Sequence, residues 1–325
     1  MRRRFLKAVA ALAAVGSVGA GLPAWAADDY PTKPVTIVVT FPAGGTTDST
    51  ARIFAEALTQ KFGQQFLVEN IGGANGSIGT ANVKSAEPDG YRLLIGGPGT
   101  LYVNPKVYDN AGYTYKDFDP AAQLAIMDFV VVARKSLGVS SIEELIAYSK
   151  ANPGKLNFGS AGIGNTAHQA GELFKLRTGA DLTHIPYTGG ALAVKALLAG
   201  EVDAVFNTTT EVLPIIRSGD AVPLAVMSRE RIATLPDVPT LSETGVANSE
   251  IGAWNGLYAP HGTPQAIIDK LNAAVVEFMA TDKAKESLAK LGLAPGKGTP
   301  AEILSQFESE IPQWDQVIAL TNKPS

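Results

Sequence analysis

The chain has 325 residues, a formal net charge of −4, and 46 % hydrophobic and 18 % charged residues. This length suggests two domains, and this composition excludes a disordered chain. With no cysteine and only three histidines, disulfides and thiolate metal sites are excluded, and we expect no metal and no cofactor. No basic excess favours nucleic acid, so we expect no nucleic-acid partner.

The first 26 residues predict a cleaved export signal. Arg2–Arg4 and Lys7 form a basic start, Ala8–Leu22 is an apolar run, and Ala24–Ala26 supplies a small-x-small cleavage site. The run is shorter than the roughly 20 residues of a membrane span, although an anchor or a core helix is the alternative interpretation. The arginines resemble a twin-arginine signal, but Met1 stands where that motif usually has Ser or Thr. The general secretory route therefore stays open, and either route predicts a periplasmic protein.

The rest of the chain alternates strand-like and helix-like segments. The predicted strands are short apolar or β-branched runs, in order Val35–Thr40, Phe66–Val68, Leu93–Ile95, Phe129–Ala133, Leu156–Phe158, Leu182–Ile185, Ala204–Phe206 and Leu224–Met227. The predicted helices between them are Ser49–Phe62 and segments that end at Ala151, Leu176, Ala199 and Arg217. Such alternation predicts an α/β fold in which helices cover both faces of a mostly parallel sheet.

The last third of the chain has a different pattern. Proline and glycine punctuate residues 236–260, in which we interpret Ile251–Tyr258 as a hinge or a crossing strand. The tail is predicted to be helical over Pro264–Thr281, Ala284–Leu291 and Pro300–Leu320.

Loops rich in glycine and hydroxyl groups follow several of the predicted strands. They span residues 41–48, 159–166 and 207–210, and residues 186–189 belong with them. The first turn of a helix presents free backbone N–H groups and partial positive charge, and glycine lets a ligand approach the backbone closely. The loops contain no Lys or Arg, so they predict a small carboxylate that is held by amides and hydroxyls.

Each of these features also has a plain structural interpretation. Ser, Thr, Asp and Asn before a helix are typical N-caps, and glycine is typical of turns. Asp48 and Arg52 are spaced as an i,i+4 ion pair, which would also fix the first loop. His168 is either a buried structural histidine or a donor near the anion. Trp254 and Tyr258 either line the cleft or pack in the core.

One motif indicates an enzyme instead. Gly162–Ala167 fits the dinucleotide fingerprint G-x-G-x-x-A between a strand and a helix, and Asp181 lies roughly 20 residues further on. Asp181 precedes the next strand, whereas the expected acid would end it. No strong catalytic constellation accompanies the motif, so a periplasmic oxidoreductase is kept only as an alternative.

The order of short motifs resembles the Bug-type solute receptors, which are the extracytoplasmic binding components of tripartite tricarboxylate transporters. The motifs are Tyr30-Pro31-x-Lys33-Pro34, Phe41-Pro42-Ala43-Gly44-Gly45-x-x-Asp48, Val68-Glu69-Asn70, Gly72-Gly73-Ala74-x-Gly76, Pro88-Asp89-Gly90-Tyr91, Asp117-Phe118, Gly159-Ser160-x-Gly162-x-Gly164, His184-Ile185-Pro186-Tyr187, Leu235-Pro236-Asp237-Val238-Pro239-Thr240 and Ala259-Pro260-x-Gly262-Thr263-Pro264. Each motif is weak alone, but together they cover essentially the whole chain after the predicted signal.

The resemblance implies a two-lobed, periplasmic-binding-protein-like fold that clamps its ligand in a cleft. It implies that ligand carboxylates meet amides and hydroxyls of two loops, partly through water. By motif match the first loop contributes Ala43, Gly44, Gly45, Thr46 and Asp48. The second contributes Ser160, Ala161, Gly162, Gly164, Asn165 and His168. Positions that vary with the ligand are Tyr187, Thr188, Gly189, Asn207 and Thr208.

We therefore expect a receptor that captures a small mono-, di- or tricarboxylate for an inner-membrane permease of the tripartite tricarboxylate type. We expect a monomer with no catalytic residue. The predicted lobes are residues 27–126 with 251–325, and residues 127–250. A carboxylate receptor that serves a signalling kinase is the remaining alternative.

Overall fold

The computed structural model describes residues 29–108 and 111–321, so the predicted export signal at 1–26 lies outside the described residues. The strands are β1 Val35–Val39, β2 Phe66–Asn70, β3 Arg92–Gly96, β4 Phe118–Arg134, β5 Leu156–Ser160, β6 Leu182–Pro186, β7 Ala204–Thr208, β8 Ala221–Val226, β9 Gly252–Pro260 and β10 Leu293–Pro295. The α-helices are α1 Thr46–Phe62, α2 Ser77–Lys84, α3 Asn104–Val107, α4 Ile142–Ala151, α5 Thr166–Thr178, α6 Gly190–Ala199, α7 Thr209–Arg217, α8 Gln265–Met279, α9 Asp282–Lys290 and α10 Pro300–Thr321.

The first lobe is built on the strand order β2-β1-β3-β9-β4, with β10 on the free side of β4. Strands β1, β2 and β3 are parallel, whereas β9 runs antiparallel to both of its neighbours. The β-branched run of β1 is almost completely buried, as expected for a strand with helices on both faces of its sheet. Helices α1, α2 and α8 pack against this sheet.

Strand β4 connects the two lobes. Its residues 118–128 pair with β9 in the first lobe, and residues 129–134 pair with β7 and β8 in the second. The chain returns beside this crossing, where Met227 N donates to Phe129 O at 2.8 Å and Ile251 N donates to Met227 O at 3.0 Å. The two crossings therefore lie side by side, as a hinge between lobes requires.

The second lobe has the strand order β8-β4-β7-β5-β6. Strands β5, β6 and β7 are parallel, so their C-terminal ends share one edge of the sheet. Helices α5, α6 and α7 start at that edge, each directly or a few residues after a strand. Large buried side chains such as Phe158, Phe174 and Phe206 fill the space between this sheet and its helices.

The interpretation of Ile251–Tyr258 as a hinge or crossing strand holds only for Ile251, which lies beside the crossing, and is wrong for the rest of the segment. Strand β9 lies within the first-lobe sheet between β3 and β4, and β4 is the strand that crosses. Only Phe129–Ala133 of β4 is predicted from the sequence, because the segment from Phe118 to Met127 contains Pro120 and several alanines, which are depleted in strands. Pairing with β9 overrides this preference, at the cost of two register shifts.

Candidate ligand-binding site

A cavity of about 290 Å³ lies between the two lobes. The first-lobe wall comes from residues 40–43, 45–47, 75, 95–100, 127 and 253–255. The second-lobe wall comes from residues 129, 161, 165–166, 188–192, 195, 207–208 and 211. Most of these residues follow the C-terminal end of a strand, which is where open α/β sheets bind their ligands.

The structure separates the sequence-predicted site residues into two groups. Those that line the cavity are Ala43, Gly45, Thr46, Ala161, Asn165, Thr188, Gly189, Asn207 and Thr208. Those outside the cavity lining are Gly44, Asp48, Ser160, Gly162, Gly164, His168 and Tyr187. A contribution of the second group to binding would therefore be indirect, through the shape of the loops.

Asp48 holds the first loop in place. Its carboxylate accepts hydrogen bonds from Gly44 N at 2.9 Å, from Arg52 Nε at 3.0 Å and from Asn70 Nδ2 at 3.0 Å. Burial alone would raise the pKa of Asp48, but these bonds and the Arg52 charge together hold it below its ordinary value. Asp48 therefore forms the predicted ion pair with Arg52 and also fixes the first loop. Helix α1 begins at Thr46, three residues before its predicted start, because Thr46, Thr47 and Asp48 already form its first turn.

Ser160 and Asn165 shape the second loop. Asn165 is the N-cap of α5, and its Oδ1 accepts from Ala167 N at 2.8 Å. Ser160 Oγ lies 2.6 Å from His184 Nε2 and accepts from Gly162 N at 3.2 Å. Ser160 therefore anchors the turn from behind, while Asn165 borders the cavity.

His168 is a structural histidine of the second lobe. Its ring stacks on His184 with 3.8 Å between ring centroids, and its Nδ1 accepts from Gly164 N at 3.1 Å. Burial lowers the pKa of His168 to about 4 and that of His184 to about 3, with smaller contributions from nearby positive charge. Both rings are therefore neutral at physiological pH and pack as polar core groups.

Four helices begin at the cavity. Thr46 of α1, Thr166 of α5, Gly190 of α6 and Thr208, which precedes α7, all line it. Helix α1 comes from the first lobe and the other three from the second. Their free N–H groups and partial positive charges converge on one space, which suits a negatively charged guest.

The two lobes touch at the edge of this space. Thr46 Oγ1 lies 2.7 Å from Thr208 Oγ1, and Tyr108 donates its hydroxyl to Ile163 O at 2.8 Å. Both bonds join the first lobe to the second, so the structure is a closed form in which the loops of the two lobes meet.

Several polar residues of the cavity were missed by the sequence analysis. Asn255 is 4 % exposed, and its Nδ2 has no hydrogen-bond partner among the described residues. Thr40 Oγ1 and Asn75 Oδ1 are likewise buried without a partner in that part of the chain. The segment 97–100, Gly-Pro-Gly-Thr, also lines the cavity. Its glycine and hydroxyl content follows a strand, so the rule used for the other loops could have found it.

Glu211 and Lys195 are the charged residues in the cavity lining. Glu211 stands in the first turn of α7, and Lys195 is an exposed residue of α6. Burial raises the pKa of Glu211 to about 7, against hydrogen bonds from the Asn207 side chain and the Thr46 backbone that lower it. An acidic residue in the first turn is common in any helix, so no local pattern distinguishes Glu211.

Comparison with known proteins identifies the family. Residues 50–322 match the model of the tripartite tricarboxylate transporter family receptor. The chain belongs to this receptor family. BugT of Bordetella pertussis is 35 % identical to the receptor over 309 residues, which are 94 % of this chain and 94 % of BugT.

Solved structures agree with this family assignment. An R. palustris protein with adipate is 36 % identical to the receptor and superimposes with a TM-score of 0.87, covering 90 % of this chain and 98 % of that one. MatC from Rhodopseudomonas palustris with bound malate is 31 % identical, with a TM-score of 0.83 over 89 % of this chain and 100 % of that one. The predicted Bug-type family and the two-lobed, periplasmic-binding-protein-like α/β fold are confirmed.

The dinucleotide alternative finds no support in the receptor. Gly162 and Gly164 face Asn75 and Val107 of the first lobe, and neither glycine lines the cavity. Asp181 lies just before β6, where it accepts a hydrogen bond from Gly154 N at 2.7 Å. This position is at the opposite end of the strand from the glycine turn, out of reach of a ribose bound there.

The aromatic residues of β9 divide between the cavity and the core. Trp254 lines the receptor's cavity, and its Nε1 donates to the Glu310 carboxylate at 3.2 Å. Tyr258 is buried away from the cavity. None of the helices within residues 29–108 and 111–321 is long and apolar enough to cross a bilayer.

Proposed function

We propose that this receptor captures a small organic carboxylate in the periplasm and delivers it, unchanged, to a tripartite tricarboxylate-type permease. The observation that carries this proposal is the convergence of α1, α5, α6 and α7 on one interlobe cavity. Helix starts attract anions, and a site without a dense cluster of cations releases its ligand readily. The volume of about 290 Å³ suits a small metabolite.

The relatives support the carboxylate class. One solved family member carries adipate and another malate, both small dicarboxylates. We propose that the site residues of both loops act here, those in the cavity lining directly and those behind it through the loops. The buried Asn255 Nδ2, which has no hydrogen-bond partner within residues 29–108 and 111–321, would donate a hydrogen bond to the ligand.

The remaining parts of the proposal concern the whole protein. We propose export through a cleaved signal at 1–26, a monomeric mature protein, and lobes at 27–126 with 251–325 and at 127–250. Ligand binding then stabilises the closed arrangement of the lobes, which the permease would recognise.

A carboxylate panel tests the function. Malate, adipate, longer dicarboxylates, citrate and aromatic acids are screened by thermal shift, with the matching neutral amides as control ligands. A specific ligand raises the melting temperature with concentration by mass action, whereas its amide does not. A panel in which no carboxylate binds would contradict the proposal.

In a deletion strain, lost uptake of the ligand supports transport, whereas normal uptake with lost induction supports sensing.

Asn255→Ala tests the proposed hydrogen bond between Asn255 and the ligand. Loss of one buried donor is expected to weaken binding by about 1–2 kcal/mol, or roughly fivefold to thirtyfold in Kd. Asn82→Ala, on the exposed side of α2, is the control and should bind as the wild type does. Unchanged affinity in Asn255→Ala would remove this residue from the site.

A further inference from the structure

The carboxyl group of Glu211 lies between the loops of the two lobes. Its Oε1 is 3.4 Å from the position that a Cβ on Gly45 would take, and a Cβ on Gly190 would overlap its Oε2. Gly45 precedes α1 in the first lobe and Gly190 begins α6 in the second. Glu211 thus occupies part of the space in which an anion would meet the starts of these helices.

The surroundings of Glu211 contain few compensating charges. Its hydrogen bonds come from the Asn207 side chain and the Thr46 backbone, and no charged side chain contributes to its pKa. The elements that pack against α7 are α6, β4, β7 and β8. On these elements the ionisable groups are Lys195 on α6 and Asp119, Asp128 and Arg134 on β4, while β7 and β8 carry none. The first two turns of α1 add Asp48 and Arg52, and α7 itself carries Arg217 in its last turn.

Most of these charges are unable to balance Glu211. Arg134 pairs with Asp203, and Arg52 pairs with Asp48. Asp128 is itself an acid whose pKa is raised by burial. Lys195 lines the same cavity as Glu211, but its side chain is exposed to solvent, which screens its charge. An anionic ligand would therefore place a second negative charge beside Glu211, and two acids that share a site do not both ionise readily.

We infer that Glu211 holds a proton whenever the receptor has bound a carboxylate anion, and that it takes this proton up on binding wherever it is ionised in the free receptor. The proton comes from solvent, and the resulting neutral acid donates its O–H to a ligand carboxylate oxygen. This inference rests on the proposed function and adds a proton to the bound species. An ammonium group of a zwitterionic ligand would pair with ionised Glu211 and require no proton, so proton uptake distinguishes an anionic ligand from a zwitterionic one.

The proton is measured by calorimetry. The tightest-binding carboxylate of the panel is titrated into the receptor at pH 8 in phosphate, HEPES and Tris, whose ionisation enthalpies differ. We expect the binding enthalpy to vary with the buffer as uptake of about one proton requires, and to vary little at pH 5.5, where Glu211 is already protonated. Between pH 7.5 and 8.5 the Kd should rise about tenfold, since the ligand carboxylates are fully ionised throughout.

Two variants isolate the residue. Glu211→Gln keeps the shape and should bind with no proton uptake at pH 8 and a flat pH profile. Glu143→Gln changes an exposed glutamate in the first turn of α4 and should keep the wild-type buffer dependence. The exposed His261, whose pKa is raised by Asp119, is unchanged in both variants, so its titration does not distinguish them.

The outcomes separate this inference from the proposed function. If no carboxylate binds, the proposed function fails and the inference fails with it. Binding without proton uptake in the wild type at pH 8, or uptake that persists in Glu211→Gln, overturns the inference alone. Circular dichroism checks the fold of the variant, and if Glu211→Gln does not fold, the buffer series on the wild type decides.

Discussion

Thr46 and Thr208 form a hydrogen bond between their side-chain hydroxyls across the boundary between the lobes, with 2.7 Å between the oxygens. Both residues are buried and both line the cavity. Thr46 begins α1 and Thr208 is the N-cap of α7. The same two hydroxyls therefore line the cavity and join the two lobes, which predicts that closure of the lobes and ligand binding are coupled.

Thr208→Val tests this coupling. Valine keeps the shape of threonine but leaves the Thr46 hydroxyl without its partner in the closed form. We expect the Kd of the ligand to rise about fivefold, for a loss of about 1 kcal/mol, in isothermal calorimetry. Thr183→Val, at an exposed position of β6, is the control. Equal affinities of the two variants would show that the bond between the lobes does not contribute to binding.

Gly45→Ala tests how closely the ligand approaches the first loop. A methyl group at Gly45 would lie 3.4 Å from Glu211 Oε1 and 3.8 Å from Pro42 O, so the free protein can accommodate it. It would nevertheless project from the lining of the cavity, where a ligand needs direct access to the start of α1. We expect about a tenfold weaker Kd with little change in the melting temperature.

The matched control is Gly252→Ala, since nothing lies within 4 Å of a Cβ there and the backbone is not left-handed. This control should bind ligand normally. A Gly45→Ala variant that binds as tightly as Gly252→Ala would place the ligand away from the first loop.

The alternation of strands and helices was predictable because it depends on local pattern. The β-branched run at 35–39 and the apolar spacing of α1 each specify one element without help from distant residues. The first half of β4 was not predictable in this way. Its sequence has weak strand preference, and it is a strand because β9, more than 120 residues away, pairs with it.

The site residues likewise divide into those that a local sequence pattern predicts and those that depend on distant parts of the chain. Gly45, Asn165 and Asn207 were found because strand-to-helix loops have a recognisable composition. Glu211 and Asn255 were missed because nothing local distinguishes them from an ordinary first-turn acid and an ordinary strand residue. Only the approach of the two lobes brings both residues to one cavity.

The stacked histidines predict an acid-sensitive fold. Burial lowers the pKa of His168 to about 4 and of His184 to about 3, whereas an unfolded histidine has a pKa near 6.5. Below pH 6.5 the unfolded chain therefore binds protons that the folded chain does not. The free energy of unfolding should fall by about 1.4 kcal/mol per pH unit for each histidine as the pH decreases from 6 to 5.

Urea unfolding between pH 5 and 6.5 measures this slope. In His184→Gln the slope of the free energy of unfolding with pH should be smaller by the contribution of one histidine. His261→Gln should not reduce the slope, because Asp119 raises the pKa of exposed His261. The same slope in the wild type and in His184→Gln would contradict the assignment.

Glu211 should affect stability in the opposite direction. Its pKa is about 7 in the folded protein and near 4.3 in the unfolded chain. Between these values the folded state keeps a proton that the unfolded state has released, so the contribution of Glu211 to stability decreases as the pH rises and stays low above pH 7. Glu211→Gln removes this penalty and should gain about 3 kcal/mol relative to the wild type at pH 8, but little at pH 4.5.

The difference in free energy of unfolding between wild type and Glu211→Gln, measured without ligand at both pH values, isolates this effect from the histidines, since they are common to both proteins. Glu143→Gln serves again as the exposed first-turn control and should give a difference near zero at each pH. A difference for Glu211→Gln that is the same at pH 4.5 and pH 8 would mean that the pKa of Glu211 is the same in the folded and unfolded states, because only a proton retained by the folded protein makes the gain depend on pH.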